Sequence, residues 1–288
     1  MSQRLIKVFG ERNTATRAVL RMIDAAPMLL EAGHPGVEDE DLQKYDIMID
    51  QISSIYAGPW RRVYREAIKD LRARELGALG AWKHAAPAYD PIFKALDVST
   101  LFMVRNPYSW ALSLHRRPYH CMGRRQQSLE DFLVFPWLCL GRDNVEPILS
   151  SPVYLWNLKL ASYAKFQAAA DIDGVGCATL RFEQFVQDPV TALSRTLDKL
   201  DLPSGSLTAF FETTKVAGDF SKDRRSYYMN ERWREDLTAT SVGLINDMID
   251  WDLAEVHGYT RLDPQDFPEE TATAAVLSDR KRRAAAAA

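Results

Sequence analysis

The stretch from Leu5 to Ile23, LIKVFGERNTATRAVLRMI, limits what this chain can become more than any other. An apolar run from Leu5 to Phe9, with Val and Ile in it, closes on Gly10. A polar loop follows, Glu11-Arg12-Asn13-Thr14-Ala15-Thr16, after which Ala18, Val19, Leu20, Met22 and Ile23 take up helical spacing. The pattern predicts a strand, a tight loop and a helix in immediate succession. Small residues at the end of the loop let successive backbone N–H groups and the helix N-terminus converge on one spot, which attracts an anion, most often a phosphate. The competing reading is an ordinary connection with Thr16 as the helix cap.

What the loop lacks narrows the choice. It has no G-x-x-x-x-G-K-[ST], so no lysine reaches a γ-phosphate and no Lys-Ser/Thr pair sets a magnesium site. It has no G-x-G-x-x-G, which argues against a Rossmann dinucleotide site.

The 288 residues are enough for one large α/β domain or two small ones, and 47% hydrophobic with 26% charged residues is a globular composition. A net charge of −3 gives no support for nucleic-acid binding, so an anion site has to be a local cluster of Arg and Lys. The N-terminus MSQRLIKVFG has no signal-peptide pattern and no apolar run approaches ~20 residues, so no membrane-spanning segment is expected. Cys121, Cys139 and Cys177 are unevenly spaced and form no paired motif. They read as thiols of a cytoplasmic protein, with no metal site implied.

Further on, Trp60 to Leu76 reads as a charged amphipathic helix with Val63, Ile68 and Leu71 toward the core. Leu79 to Pro87 places a Trp-Lys-His triplet ahead of a turn. Thr100 to Val104 is an apolar run suited to a strand buried on both faces. It ends at Arg105-Asn106-Pro107, with Pro107 opening a helix over Tyr108 to His115. An arginine at the carboxyl end of a buried parallel strand sits where open α/β sheets bind ligands, and Ser113 lies two helical turns on. Val175 to Phe182 reads as a second buried strand. Helices are expected over Ser128 to Leu138, Tyr154 to Ala170, Pro189 to Leu200 and Thr240 to His257. Alternating strands and helices predict an α/β fold, a parallel sheet flanked by helices, in a single domain over residues 1–262. Residues 263–288 are expected to form an irregular tail, from the prolines and acids after Pro264 to the terminal KRRAAAAA.

Three separated motifs, in order, give the chain a resemblance to the PAPS-dependent sulfotransferases. Gly10 to Ala18, GERNTATRA, resembles their 5′-phosphosulfate loop, closest to the G-x-R-K-G-G-T-R-A form of the heparan sulfate enzymes. Arg105-x-Pro107, with Ser113 eight residues after the arginine, is similar to their 3′-phosphate site. Leu180-Arg181-Phe182-Glu183-Gln184-Phe185 followed by Asp188-Pro189 is similar to their L-R-Y-E-D-L…D-P segment. Trp82-Lys83-His84 with Pro87 also resembles the K-T-H-x-P of the cytosolic enzymes, whose histidine is the catalytic base. The resemblance spans about residues 5 to 258 and implies a P-loop NTPase-like sulfotransferase fold.

It also implies a site. The donor would be PAPS and the product PAP, with no metal. Arg12, Asn13, Thr14, Ala15, Thr16 and Arg17 would hold the 5′-phosphate, and Arg105 and Ser113 the 3′-phosphate. Arg224 and Arg225, in the basic run Lys222 to Tyr228, fall where the family closes a loop over the cofactor. His84 would take the proton of an attacking hydroxyl or amine. The chain departs from the pattern at Asn13, where the family's loop carries Lys or Arg to stabilise the departing oxygen. Lys83, beside His84, is the preferred substitute, and Arg12 the other. The acceptor is a small molecule or a glycan, and Trp110, Tyr119, Phe132, Phe135 and Trp137 are either its pocket or core. Two other classes stay open: a non-catalytic PAP-binding relative, and a small-molecule or nucleotide kinase on the same fold. Neither nucleic acid nor membrane is an expected partner.

Overall fold

The computed structural model describes residues 3–33, 47, 57–119, 126–205, 207–209 and 222–269, with the backbone alone at 57–62 and 222–224. Strand β1 (Arg4–Gly10) runs into helix α1 (Thr16–Asp24) and then strand β2 (Leu29–Glu31). Helix α2 (Ala57–Glu75) precedes β3 (Val98–Val104), which leads directly into α3 (Pro107–Arg116). A short antiparallel pair, β4 (Trp137–Leu138) and β5 (Ile148–Leu149), stands apart from the main sheet. The long helix α4 (Val153–Asp173) then delivers β6 (Cys177–Arg181), followed by α5 (Phe182–Gln187), α6 (Pro189–Asp198), α7 (Lys222–Met229), α8 (Ala239–Met248) and α9 (Trp251–Val256).

Four strands pair in the order β2-β1-β3-β6, all parallel. Every residue of β3 is buried, as its unbroken apolar sequence requires for a strand covered on both faces. Alternation sorts the side chains into two layers. Ile6, Val8, Leu101 and Met103 pack with α1 and with Leu193 and Leu197 of α6. Phe9, Phe102 and Val104 pack on the other face with Trp156, Tyr163 and Phe166 of α4, where α3, α8 and α9 complete the larger core. The carboxyl ends of β1 and β3 lie side by side, Gly10 opposite Met103, so the loop after β1 and the Arg105 turn after β3 meet at one edge.

Several elements depart from their sequence patterns. Val63 and Leu71 of α2 are exposed, because this helix is tied down by Glu66 and Asp70, both ion-paired to the buried Arg142, and not by its apolar positions. The helix expected over Ser128 to Leu138 lasts only from Leu129 to Leu133, capped by Ser128, before the chain turns into β4. The helix expected over Thr240 to His257 breaks at Asp250, whose side chain accepts from Leu253 N and starts a new helix. Strand β6 is half-buried, and Phe182 belongs to the helix after it. Beyond 262 the chain stays docked as far as it is described: Phe267 packs on the larger core, and Pro268 O accepts from Ala239 N at 2.9 Å. Cys139 and Cys177 are free thiols, and Cys121 lies outside the described residues. No helix among the described residues is long and apolar enough to cross a membrane.

Candidate active site

Gly10 opens the loop between β1 and α1, and only glycine fits there. A Cβ would lie 2.5 Å from Met103 Cβ, 2.6 Å from Thr16 Cγ2 and 2.9 Å from Thr14 Oγ1. Beyond it the backbone turns through the left-handed region twice, at Asn13 (φ 68°) and Ala15 (φ 66°). Left-handed residues alternating with ordinary ones aim successive N–H groups at a common point. Thr14 Oγ1 donates to Glu11 O at 2.6 Å and pins the turn. Ala15 caps α1 without a side-chain bond, so Thr16 is not the cap; it is the first helical residue, buried against Gly10. Ala18 N and Val19 N both reach Ala15 O, whereas no acceptor among the described residues meets the N–H groups of Thr14 to Arg17. Left-handed Ala15 carries a steric cost of about 1–2 kcal/mol, part of which glycine would relieve. Ala15→Gly is expected to leave the melting temperature unchanged or slightly raised, by thermal denaturation, because relief of the left-handed strain offsets the entropy that glycine adds to the unfolded chain.

Two bonds join Gly10 to the Trp-Lys-His segment. Gly10 N donates to Lys83 O at 2.8 Å, and Gly10 O lies 2.6 Å from His84 Nδ1. A carbonyl can only accept, so Nδ1 carries the proton and Nε2 keeps its lone pair. Burial, and next the charge of Arg12, push the His84 pKa well below 6.5, leaving the imidazole neutral. A neutral ring whose proton is fixed on one nitrogen presents the other as a base. The same shift predicts a stability signature. In the unfolded chain His84 titrates near its ordinary value, so as pH falls below 6.5 the unfolded state gains a proton that the folded state refuses. The wild type should lose stability relative to His84→Asn over that range, by up to about 1.4 kcal/mol per pH unit, and show no such difference above pH 7.5 in urea unfolding.

The guanidinium of Arg12 lies between two rings, 4.7 Å from Trp82 and 4.0 Å from Tyr119. Trp82 also carries Arg142 at 4.5 Å, and Trp110 Nε1 donates to Arg12 O at 3.2 Å. Arg12 forms no ion pair among the described residues, and its Nε is buried without an acceptor, as is Asn13 Nδ2. Burial lowers its pKa, with Tyr119 and Glu11 opposing. Lys83 is lowered too, first by burial; the charge of Glu31 opposes, and those of Arg17 and Arg12 add to the effect. Both cations therefore border His84, each held in a partly desolvated position where an anion is attracted strongly.

Arg105 closes the back of the loop. Its Nη1 donates to Asn13 O at 2.6 Å, Nε to Ser109 Oγ at 2.9 Å and Nη2 to Ser109 O at 2.9 Å. The guanidinium is stacked by Phe182 at 4.2 Å and Tyr228 at 4.8 Å, and only 2% of the residue is exposed. It has no carboxylate partner among the described residues, and three bonds leave two of its five hydrogens unused. Asn106 caps α3, accepting from Tyr108 N and Ser109 N, and its own N–H meets Glu183 Oε1 at 2.9 Å. Trp156 Nε1 holds Arg105 O at 3.0 Å.

Of the residues expected at the site, Arg12 to Arg17, Lys83, His84 and Arg105 come together around the β1–α1 loop. Ser113 is partly exposed one turn beyond Ser109, the residue that engages Arg105. Arg225 donates to Gln187 O at the end of α5, while its neighbour Tyr228 covers Arg105. The side chain of Arg224 lies outside the described residues. Trp110, Tyr119, Phe132 and Trp137 are buried core, and Phe135 is exposed.

One group at the site had no motif to announce it. Lys159, fully buried on α4, donates to His84 O and to Asp143 O, and stands 3.6 Å from both Glu11 Oε2 and Asp143 Oδ1. Its signal in the sequence was a lysine on the apolar stripe Leu155, Trp156, Leu160, Tyr163 and Phe166, where a charge needs partners.

No family model matches the chain, and no curated protein matches it. Solved structures do resemble it. A sulfotransferase domain from the curacin biosynthetic pathway is 10% identical with a TM-score of 0.41, over 91% of this chain and 99% of that one. A sulfotransferase from Alicyclobacillus acidocaldarius is 15% identical at 0.39, over 85% and 97%. The sulfotransferase domain of the Synechococcus PCC 7002 olefin synthase is 12% identical at 0.33, over 85% and 94%. All three are sulfotransferases. Identities and scores this low assign no chemistry to this chain, whose function has to be read from its own residues.

Proposed function

We propose that the protein is a PAPS-dependent sulfotransferase, moving a sulfuryl group to a hydroxyl or amine of a small-molecule or glycan acceptor. The observation that carries this reading is the joint at Gly10. There, a loop of N–H groups and a neutral histidine whose Nε2 carries no proton share one residue, the N–H groups and Nε2 having no partner among the described residues, with Arg12 and Lys83 beside them.

The donor fits the residues present. Thr14 to Arg17 offer N–H groups to a 5′-phosphate at a helix N-terminus, and Arg12 Nε and Asn13 Nδ2 are buried donors lacking acceptors. Arg105, with two hydrogens to spare, and Ser113 would take the 3′-phosphate. When bound, PAPS supplies the sulfuryl group, which passes to the acceptor oxygen or nitrogen as the bond to the phosphate oxygen breaks and PAP leaves. His84 Nε2 removes the acceptor's proton. Arg12 and Lys83 offset the negative charge that grows on the departing oxygen, in place of the cation that Asn13 does not supply. Arg12 is favoured for that part because its guanidinium is held between Trp82 and Tyr119, whereas the charge of Lys83 is already opposed by that of Glu31.

Incubation with radiolabelled PAPS and a panel of phenols, alkyl alcohols, amines and glycans tests the reading. Label transferred to at least one class, at a rate set by protein concentration, is expected. PAP bound tightly with no acceptor labelled would favour a non-catalytic binding protein.

A further inference from the structure

The buried cation of α4 has a task that the sulfuryl-transfer chemistry itself does not use. Lys159 is fully buried, and its ammonium meets three segments at once. It donates to the carbonyl of His84, it donates to the carbonyl of Asp143 at 3.1 Å, and it stands 3.6 Å from Glu11 Oε2. Each contact is the first link of a short chain ending at the site. The His84 carbonyl belongs to the residue whose ring is oriented by Gly10 O. Glu11, through its other oxygen, accepts from Arg12 N at 2.6 Å and from Tyr119 OH at 2.8 Å, and Tyr119 is one of the two rings around the Arg12 guanidinium. Asp143 O also accepts from Ala86 N at 2.7 Å, two residues past His84, and Asn144 Nδ2 donates to Ala86 O at 2.8 Å. The polypeptide from His84 to Ala86 is thus hung from one ammonium group and its neighbours.

Burying a lysine costs several kcal/mol, and a chain seeking stability alone does as well with an apolar residue among Trp156, Leu160 and Tyr163. Two carboxylates without the lysine would be worse, because Glu11 and Asp143 would then repel each other in a dry interior. Burial already raises the Glu11 pKa, with Asp143 adding to the rise and Lys159 opposing it. A charge kept at such a point holds its neighbours at fixed distances, since a lysine with two carbonyls and two carboxylates cannot move without losing them.

We propose that Lys159 is the positioning residue of this site, setting the backbone of His84 directly and the Arg12 guanidinium through Glu11. The proposal rests on the sulfotransferase reading for its kinetic consequence, and on geometry alone for its structural one.

Two variants test it. Lys159→Met removes the clamp but leaves Glu11 and Asp143 unbalanced, so it is expected to fold poorly on that account alone. Lys159→Met/Glu11→Gln removes one charge of each sign and should fold. In the double variant kcat is expected to fall about 10- to 100-fold, the scale of a small misplacement of a reacting group. Nitrogen NMR of the histidines, with His84 assigned by its loss in His84→Asn, supplies a readout that needs no substrate. The wild type should show one tautomer, with the proton on Nδ1, and the double variant a mixture. A double variant that keeps both wild-type kcat and the single tautomer would overturn the proposal. If the wild type neither binds PAP nor turns over PAPS, the cofactor reading fails by itself, and the tautomer result still decides the place of Lys159.

Discussion

Replacing His84 by alanine should lower acceptor-dependent turnover by about 10²- to 10⁴-fold while leaving PAP affinity within a few-fold of wild type. The reason is the division of labour at Gly10. The imidazole touches the loop through Nδ1 and leaves Nε2 without a partner among the described residues, so its removal costs the proposed base and one hydrogen bond to Gly10 O, but none of the N–H groups of Thr14 to Arg17. Because the ring is neutral well below pH 6.5, turnover should also stay flat from pH 6.5 to 8 as far as this group is concerned. It should fall only on acidification, as the folded-state pKa is reached and Nε2 takes up a proton. Matched kinetic and calorimetric titrations of His84→Ala check both halves. A variant that lost PAP binding and turnover together would mean that the histidine builds the loop and does not act as base.

The second large effect concerns Arg105. Its guanidinium is built into the protein on three bonds and two ring faces, so Arg105→Ala removes structural support as well as charge and should lower stability by about 2–4 kcal/mol. Arg105→Lys is the more informative change, since it keeps a cation but loses the fork that engages Asn13 and Ser109 together. PAP affinity should fall by about 10- to 100-fold, or about 1.4–2.8 kcal/mol. The comparison with AMP, which lacks the 3′-phosphate, then separates two roles. If Arg105 grips the 3′-phosphate, the preference for PAP over AMP collapses in the variant and AMP affinity barely changes. If Arg105 only holds Asn13 in its left-handed turn, both ligands weaken by the same factor. The unused hydrogens of the guanidinium and the absence of a carboxylate partner among the described residues favour the first outcome.

The parts of this molecule that were legible in its sequence are those whose physics is local. The strand, loop and helix from Arg4 to Asp24 follow from an apolar run giving way to a helical period across Gly10. Arg105-Asn106-Pro107 was readable as a strand end because Pro107 favours a first helical turn, and Asn106 does cap α3. Distance defeats such reading. The bonds from Arg105 to Asn13 and from His84 to Gly10 join residues 92 and 74 positions apart, and no periodicity reports them. The same holds for Arg12, which looks like any loop arginine until Trp82 and Tyr119 close on it. Helix α2 misled in the opposite way. Val63 and Leu71 have core-facing spacing, yet the helix is held by the ion pairs of Glu66 and Asp70 with Arg142, which apolar periodicity does not register. Asp250 broke one predicted helix into two because a carboxylate can satisfy a free N–H wherever the chain turns, and the apolar pattern runs on across the break.

Calorimetric titration of the wild-type protein with PAP, and separately with ATP and magnesium, tests the central claim most directly. The loop lacks the lysine that a γ-phosphate needs, and in the proposed reading Arg105 and Ser113 take a phosphate that ATP does not carry. PAP binding at least tenfold tighter than ATP is the predicted result. No PAP binding, or ATP with magnesium binding more tightly, would contradict the sulfotransferase account and leave a phosphoryl-transfer enzyme as the reading to pursue.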